Sequence, residues 1–337
     1  MPRKITTSDL IKIIHDCAPP ALAYDWDNVG FLLGDASTEI TKVLLCLDIT
    51  HKSVDEAIRI GANLIISHHP LIFKPIRKIT NPLYIKLIRN NISVISAHTN
   101  LDIAPGGVNT QLAELFHLTD LESLSTSIGS ELYQVSVYIL PSNQETLSQA
   151  LINNGARHLH FSQIEAEIKL EFFCDSFKLS KIIATIHKYH PSPDPVYAVN
   201  PQNRVNDVYG MGVIGLLPAP LTIADFALKV KKVLSSPFVR VWLANKNPDT
   251  LIQKIAVCGG SGSSMISSAS NRADVFLSGE FGYHSRLDSP IPLIEAGHFH
   301  TEFPVLKYLK KILDFAKIPA QIFPITSHET TTSTLYL

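Results

Sequence analysis

The sequence predicts an α/β protein whose two outer thirds, of one kind, flank a small α+β insert. Three observations carry this. Short apolar runs at 43–47 (VLLCL), 63–67 (NLIIS) and 92–96 (ISVIS) are separated by helical segments, the pattern of β-α-β units with parallel strands buried on both faces. At 132–140 (LYQVSVYIL) the pattern shifts to partial alternation, as in a strand with one solvated face. The last third returns to the first pattern, with short strands at 255–258, 274–277 and 292–295 running into Gly- or His-rich turns.

Taken in order, Thr7 or Ser8 is placed to cap a helix through about His15, which Pro19 and Pro20 end. A helix over 52–60 turns Val54, Ala57, Ile58 and Ile60 inward and stops at Gly61. Another covers 83–89. The middle reads as strand 132–140, helix 144–153, a strand region and helix 179–189, ended by HPSPDPVYAVNP, whose prolines break regular structure. Two strand-helix-strand units in about 75 residues make a small α+β insert. Thr222 caps a helix to about Leu234, a further helix runs to about Phe315, and AQIFPI is a closing strand. The expected organisation is 1–126, 127–204 and 205–337.

The chain of 337 residues has room for about two domains, at roughly 100–200 residues each. Its 45% apolar and 18% charged content suits a large core and excludes a disordered chain. With 29 basic and 30 acidic residues there is no electrostatic footprint for nucleic acid. Cys17, Cys46, Cys174 and Cys258 form no C-x-x-C pair, which disfavours a disulfide scaffold or a thiolate zinc site. No apolar run reaches the roughly 18 residues of a membrane span, and MPRKITTSDL lacks a signal-peptide apolar region. The expectation is a soluble, cytoplasmic protein with no membrane partner. The unusual feature is 14 histidines.

Five of them fall in three motifs, each after an expected buried strand: SHHP (67–70), HTNLD (98–102) and GHFHTE (297–302). Ligand sites in open α/β sheets lie beyond the carboxyl ends of the strands, so the motifs are expected to converge. Imidazole and carboxylate together suit divalent transition metals. His298 and Glu302, at i and i+4 from a helix start, share a face, and His300 points elsewhere. Adjacent His68 and His69 are expected to diverge, as successive strand side chains do, which serves two metals better than one. Asp102 and Glu302 can bridge or complete the shells. Five candidates with His98 in reserve exceed the roughly three protein ligands of one catalytic zinc and point to two ions. A lone strand-end histidine is more often an ordinary hydrogen-bonded group; the specificity lies in the set.

Other motifs are less specific. The run 259–263 (GGSGS) follows a strand and reads either as an anion-binding loop or as a tight strand-to-helix turn; it lacks the lysine of a P-loop. His284 in GEFGYH is a partner to the site, a proton donor, a substrate contact, or a surface helix histidine. The stretch 25–30 (DWDNVG) is placed to order a loop near the site, with Trp26 expected as a core anchor rather than a stacking platform. Lys229, Lys231 and Lys232 read as a solvated face.

With WDNVG (26–30), LLCLDIT (44–50), SHHP, HTNLD, CGGSG (258–262), GEFGYH (279–284) and GHFHTE in this order, the chain resembles the Nif-three-like dinuclear metal centre family, also catalogued as GTP cyclohydrolase I type 2 homologs. The resemblance covers essentially the whole chain. It implies two related α/β lobes forming one composite metal-binding unit, a ferredoxin-like or PII-like insert, and toroidal homohexamers with metal pairs facing a central cavity. It implies His68, His69, Asp102, His298 and Glu302 as metal ligands, with His98 a near neighbour. The chain departs from the family's pattern at Glu280 and Thr110, where Asp is common, and its insert looks shorter than in longer members.

The leading functional expectation is a hydrolase with two divalent ions per chain (zinc, iron, manganese or nickel). Its finer form is a GTP cyclohydrolase-type opening of a purine ring, with His98 or His284 moving protons and a nucleotide or phosphoester as substrate. The alternatives are a metal-dependent phosphoesterase and a non-enzymatic metal-binding scaffold or regulator.

Overall fold

A computed structural model describes residues 4–126, 131–205 and 208–324. The chain divides into two compact units, Met1–Ser125 with Gly210–Leu337, and Thr126–Tyr209. The expected boundary after residue 126 falls on 127–130, outside the described residues.

The first unit holds two sheets. One is built from β1 (Gly30–Leu33), β2 (Val43–Cys46), β3 (Leu64–Ser67), β4 (Ser93–Ser96) and β15 (Ala320–Ile322), in the order β1-β4-β3-β2-β15. The pairs β15–β2, β2–β3 and β3–β4 are parallel, and β1 runs antiparallel on the edge. Helices α1 (Thr7–Cys17), α2 (His51–Arg59), α3 (Pro82–Arg89), α4 (Thr99–Ile103) and α5 (Val108–Leu115) follow in sequence. Val54 and Ala57 of α2 and Leu87 of α3 pack with Leu44, Ile65 and Val94, so β2, β3 and β4 are buried throughout and mostly apolar.

The second sheet combines β5 (Thr119–Thr126), β10 (Gly210–Thr222), β11 (Arg240–Trp242), β12 (Leu251–Ser261), β13 (Val275–Glu280) and β14 (Leu293–Glu295) in the order β11-β14-β13-β12-β10-β5. Its helices are α8 (Ile223–Val233), α9 (Ile266–Ser270), α10 (Tyr283–Leu287), α11 (His298–Glu302) and α12 (Val305–Phe315). Phe226 and Val230 of α8 and Phe116 after α5 pack with Val257, Leu277 and Ile294. Truncating Phe226 to alanine there should cost about 3–5 kcal/mol. Each outer third lends a strand to the other's sheet: β15 joins the first, and β5 joins the second.

The second unit is a strand-helix-strand repeat: β6 (Glu131–Ile139), α6 (Gln144–Asn153), β7 (Arg157–Ile164), β8 (Glu167–Asp175), α7 (Leu179–Tyr189) and β9 (Tyr197–Val205). Its order β7-β8-β6-β9, antiparallel throughout, is that of a ferredoxin-like sheet. Val135, Val137, Leu170 and Phe172 face Leu147, Leu151, Ile182 and Ile186.

Several elements differ from expectation. Thr6, not Thr7 or Ser8, caps α1, in a capping box with Asp9. Ile58 is exposed, because α2 buries only the stripe of Ser53, Val54 and Ala57. HPSPDPVYAVNP does not stay irregular: β9 begins at Tyr197 and carries Pro201, which an edge strand tolerates. Pro304 divides the last helical stretch into α11 and α12. No helix among the described residues is long and apolar enough to cross a membrane.

Candidate metal centre

The three histidine motifs converge. SHHP leaves the carboxyl end of β3. HTNLD leaves β4 and makes the short helix α4. GHFHTE follows β14 and makes α11, entered through Gly297 with φ 89°. A left-handed residue is needed there to swing the chain from strand into helix, and glycine adopts it without strain.

Glu302 is the hub. Its Oε1 lies 2.9 Å from His298 Nε2 and 3.7 Å from His68 Nε2, and its Oε2 lies 3.1 Å from His69 Nε2. Asp102 Oδ1 is 3.6 Å from His68 Nε2. The donor atoms of His68, His69 and His98 lie within 4.8 Å of one another, and so do those of His69, His298 and Glu302. His98 therefore stands within a donor group rather than beside one. His68 and His69 do not diverge: their ring centroids are 5.0 Å apart and both face Glu302. The cause is that β3 ends at Ser67, so strand alternation no longer governs the two histidines.

Each imidazole is oriented from behind. His68 Nδ1 meets the Ala97 carbonyl at 2.9 Å, His69 Nδ1 meets Asp48 at 2.8 Å, His98 Nδ1 meets Asp27 at 2.9 Å, and His298 Nδ1 meets Glu280 at 3.2 Å. Such partners fix the ring and its tautomer in metal sites, leaving Nε2 for the ion. Asp48 and Glu280 lie outside the expected ligand set. Their signal was an acidic residue at or just past the end of a buried strand, in VLLCLD and VFLSGE. Asp27 belongs to the stretch expected to order a loop, and its Oδ2 accepts from the Thr99 backbone N–H and hydroxyl.

The donors suit a metal ion. His68 Nε2 is buried with no hydrogen-bond partner among the described residues. Its 3.6 and 3.7 Å approaches to Asp102 Oδ1 and Glu302 Oε1 are too long for hydrogen bonds. They match instead the edge of a coordination shell, where ligands at about 2.0–2.2 Å from a tetrahedral ion stand about 3.4 Å apart.

Electrostatics agree with this. Burial opposes protonation of His69, but Asp48 and Glu302 outweigh it and raise its pKa to about 10. In the same way Glu302 and Glu280 raise His298 to about 9. His68 is also raised: burial acts against it, while Asp102 and Glu302 act for it. Burial alone would raise Glu302, yet the surrounding imidazoles hold it well below the ordinary carboxylate range. Asp102 is raised, by burial above all and against the pull of His68. Burial also works against Asp27, and His98 and Thr99 overcome it, bringing it to about 2. Without an ion, protons supply the positive charge that these carboxylates require.

The glycine run is not an anion cradle. Residues 259–261 extend β12, and their N–H groups are used internally: Gly259 donates to Asn109 Oδ1 and Gly260 to Thr301 Oγ1. Gly260, with φ 65°, passes so close to the hub that a Cβ there would meet Glu302 Oε1 at 2.3 Å. His284 is exposed on α10 with its ring against Tyr283, and no described contact joins it to the cluster. Thr110 accepts from the Gly106 N–H. Trp26 is not a core anchor: it is 58% exposed, because Asp27 and Asn28 rather than Trp26 tie its loop inward. All four cysteines are free.

The whole chain is similar to known proteins. A "GTP cyclohydrolase 1 type 2 homolog" of Halalkalibacterium halodurans is 30% identical over 95% of this chain and 96% of its own length. One of Staphylococcus epidermidis is 33% identical, covering 91% and 92%. Among solved structures, a Bacillus cereus protein related to NIF3 superposes with TM-score 0.85 at 29% identity, covering 99% of this chain and all of its own. A Staphylococcus aureus protein does so with TM-score 0.77 at 32% identity, covering 99% of each. The profile of one family matches residues 5–331, and on this evidence the chain belongs to the Duf34/NIF3 (NGG1p interacting factor 3) family.

Proposed function

We propose that the cluster holds divalent metal ions and that the protein is a metal-dependent hydrolase. The observation that carries this is Glu302, a buried carboxylate offering one oxygen to His68 and His298 and the other to His69. The proposed ligands are His68, His69, Asp102, His298 and Glu302, with His98 closing the group on the His68 side. A carboxylate with its two oxygens turned to different imidazoles fits a pair of ions. Divalent ions there would supply Lewis acidity and lower the pKa of a bound water toward neutrality.

The chain's own residues do the rest. Asp48, Asp27, Glu280 and the Ala97 carbonyl hold the rings so that Nε2 atoms need no reorganisation to bind. Gly259 and Gly260 let β12 pass beneath the hub. The curated relatives carry a cyclohydrolase name, which supports opening of a purine ring as the finer form of the reading. Self-association into a toroidal homohexamer belongs to the same reading, and light scattering tests it.

The decisive experiment loads purified protein with zinc, iron, manganese or nickel in turn. Bound metal is counted by elemental analysis, and loss of nucleotides and phosphoesters is followed by chromatography beside a His68→Ala control. About two ions per chain and metal-dependent turnover absent from the control are expected. A plateau at one ion sinks the paired reading. Metal binding without turnover on any substrate leaves a metal-binding scaffold.

A further inference from the structure

Beside the cluster lies a group of aromatic rings that the metal reading does not use. Trp26 is 58% exposed and Phe73 47% exposed, which is unusual for side chains of this size. Trp26 stacks on Tyr24 with centroids 5.6 Å apart and planes 19° from parallel, and Phe73 lies 5.8 Å away on a tilt. The edge of the group meets the metal cluster, with Trp26 and His98 6.2 Å apart in a T-shaped contact.

The group is built. The Tyr24 N–H donates to Thr99 Oγ1, Asp27 holds both Thr99 and the His98 ring, and Asn28 Nδ2 donates to the Ile72 carbonyl next to Phe73. Two loops are thereby fastened to each other and to α4, so the rings are presented from an ordered base. The second loop continues into Lys74, Arg77 and Lys78, all exposed and none in an ion pair with a described residue.

We infer that Tyr24, Trp26 and Phe73, with Lys74, Arg77 and Lys78, form a recognition platform for a flat-ringed anion, a nucleoside phosphate, whose reacting part then lies over the histidine cluster. An uncharged ring leaves the cations unused, and a bare phosphate leaves the exposed rings unused. A nucleobase stacks on aromatic faces whatever its sequence identity, and Lys and Arg answer its phosphates. This inference rests on the metal reading, because the ligand is placed by its nearness to the ions.

The test uses the full chain in a Trp242→Phe background, which leaves Trp26 as the sole tryptophan. Zinc-loaded protein is titrated with GTP, guanosine and inorganic tripolyphosphate, following tryptophan emission and, separately, heat of binding. GTP should quench saturably, guanosine should quench only at higher concentration, and tripolyphosphate should bind at least tenfold more weakly than GTP. Trp26→Ala should weaken GTP binding by roughly tenfold to a hundredfold, with Trp26→Phe in between. Metal content should be unchanged in both variants. Lys74→Ala with Arg77→Ala should weaken GTP and tripolyphosphate but not guanosine.

Tripolyphosphate binding as tight as GTP, or Trp26→Ala with unchanged GTP affinity, overturns the platform. A Trp26→Ala effect on sedimentation alone also overturns it and makes the rings a face between copies. Loss of zinc from the parent protein instead counts against the metal reading, so the two failures are distinguishable.

Discussion

His68 and His298 face the same carboxylate oxygen from two different sheets, under opposite conditions. The His68 side chain is 0% exposed and its Nδ1 is held by a backbone carbonyl. The His298 side chain is 39% exposed and its Nδ1 is held by Glu280, whose own side chain is 56% exposed. The first cannot move without moving β4. The second is held from behind by a half-exposed surface glutamate. One half of the site is thus preorganised, and the other is adjustable. Only Glu302 belongs to both, so the comparison can be broken first at that residue.

Glu302→Gln keeps the shape of the hub and removes its charge. It should lower metal retention more than any other single change, by well over the roughly 100-fold that bounds losses from outer partners. Without metal, the three imidazoles that Glu302 supports should titrate nearer their ordinary range by NMR. Retention near that of wild type would show that the halves bind independently.

Protons give the second test. Without metal, His69 titrates at about 10 and His298 at about 9, against an ordinary 6.5. Binding must expel those protons. Metal affinity should therefore rise with pH, by up to about a hundredfold per unit while both rings are charged, and flatten above about 10. For the metal-free fold the sign is reversed. Groups with raised pKa values contribute stability fully below 6.5 and lose it as pH climbs through 9 and 10. Glu302 is depressed, so its contribution holds above its ordinary 4.5 and fades as pH falls below. Metal-free Tm should thus fall from neutral to alkaline pH, while the added stability from metal widens. A metal affinity that does not change with pH would mean that the rings are neutral before the ion arrives.

Substituting the two histidines themselves sharpens the contrast. His68→Ala and His298→Ala should each weaken chelator-competed metal binding by at least 10–100-fold. They should differ in stability. His68→Ala opens a hole in a packed interior and should cost about 2–5 kcal/mol at any pH, whereas the loss from His298→Ala, a partly exposed ring paired with Glu302, should shrink as pH rises through about 9. Equal losses of Tm would mean that the two halves are equally rigid.

Some of this was legible in the sequence. The apolar runs before SHHP and HTNLD announced parallel strands, and three motifs of metal-binding type after three strands announced their convergence. The i, i+4 spacing of His298 and Glu302 placed both on one turn of α11. The strand exchange was hidden, because β5 and β15 carry no local mark of which sheet they join. β10 was hidden because three glycines and two prolines interrupt its apolar pattern. The glycine run was ambiguous because a loop that cradles phosphate and a strand that must pass close beneath a carboxylate both need missing side chains. Trp26 was misplaced for a related reason: sequence gives a residue's apolarity, while its exposure depends on which neighbours the loop ties down.

The partners behind the rings should matter less than the rings. Asp48→Asn and Glu280→Gln each leave the proposed ligands in place and loosen one imidazole. Losses of about tenfold in metal affinity, the low end of the usual range, are expected for both because both carboxylates are half exposed. The Asp48 change should also bring His69 down from about 10, since Asp48 is the first of the groups that raise it. A larger loss for Glu280→Gln would indicate that the adjustable half, not the fixed half, limits binding.

The smallest effect on metal should come from His300, between the two proposed ligands of α11. It is buried, and its ring lies under Gly297, where a Cβ would stand 3.1 Å from His300 Cδ2. At 100° per residue it points about 200° away from His298, into the fold rather than toward the hub. His300→Ala should therefore leave metal affinity within about threefold of wild type, less than the 10-fold floor for residues that orient a ligand. It should lower Tm, because a buried, packed ring is lost. Chelator competition and thermal melts on the same preparation separate the two outcomes. If His300→Ala loses metal while His298→Ala keeps it, the face of α11 turned to the cluster is the other one, and the assignment of the second half of the site fails with it.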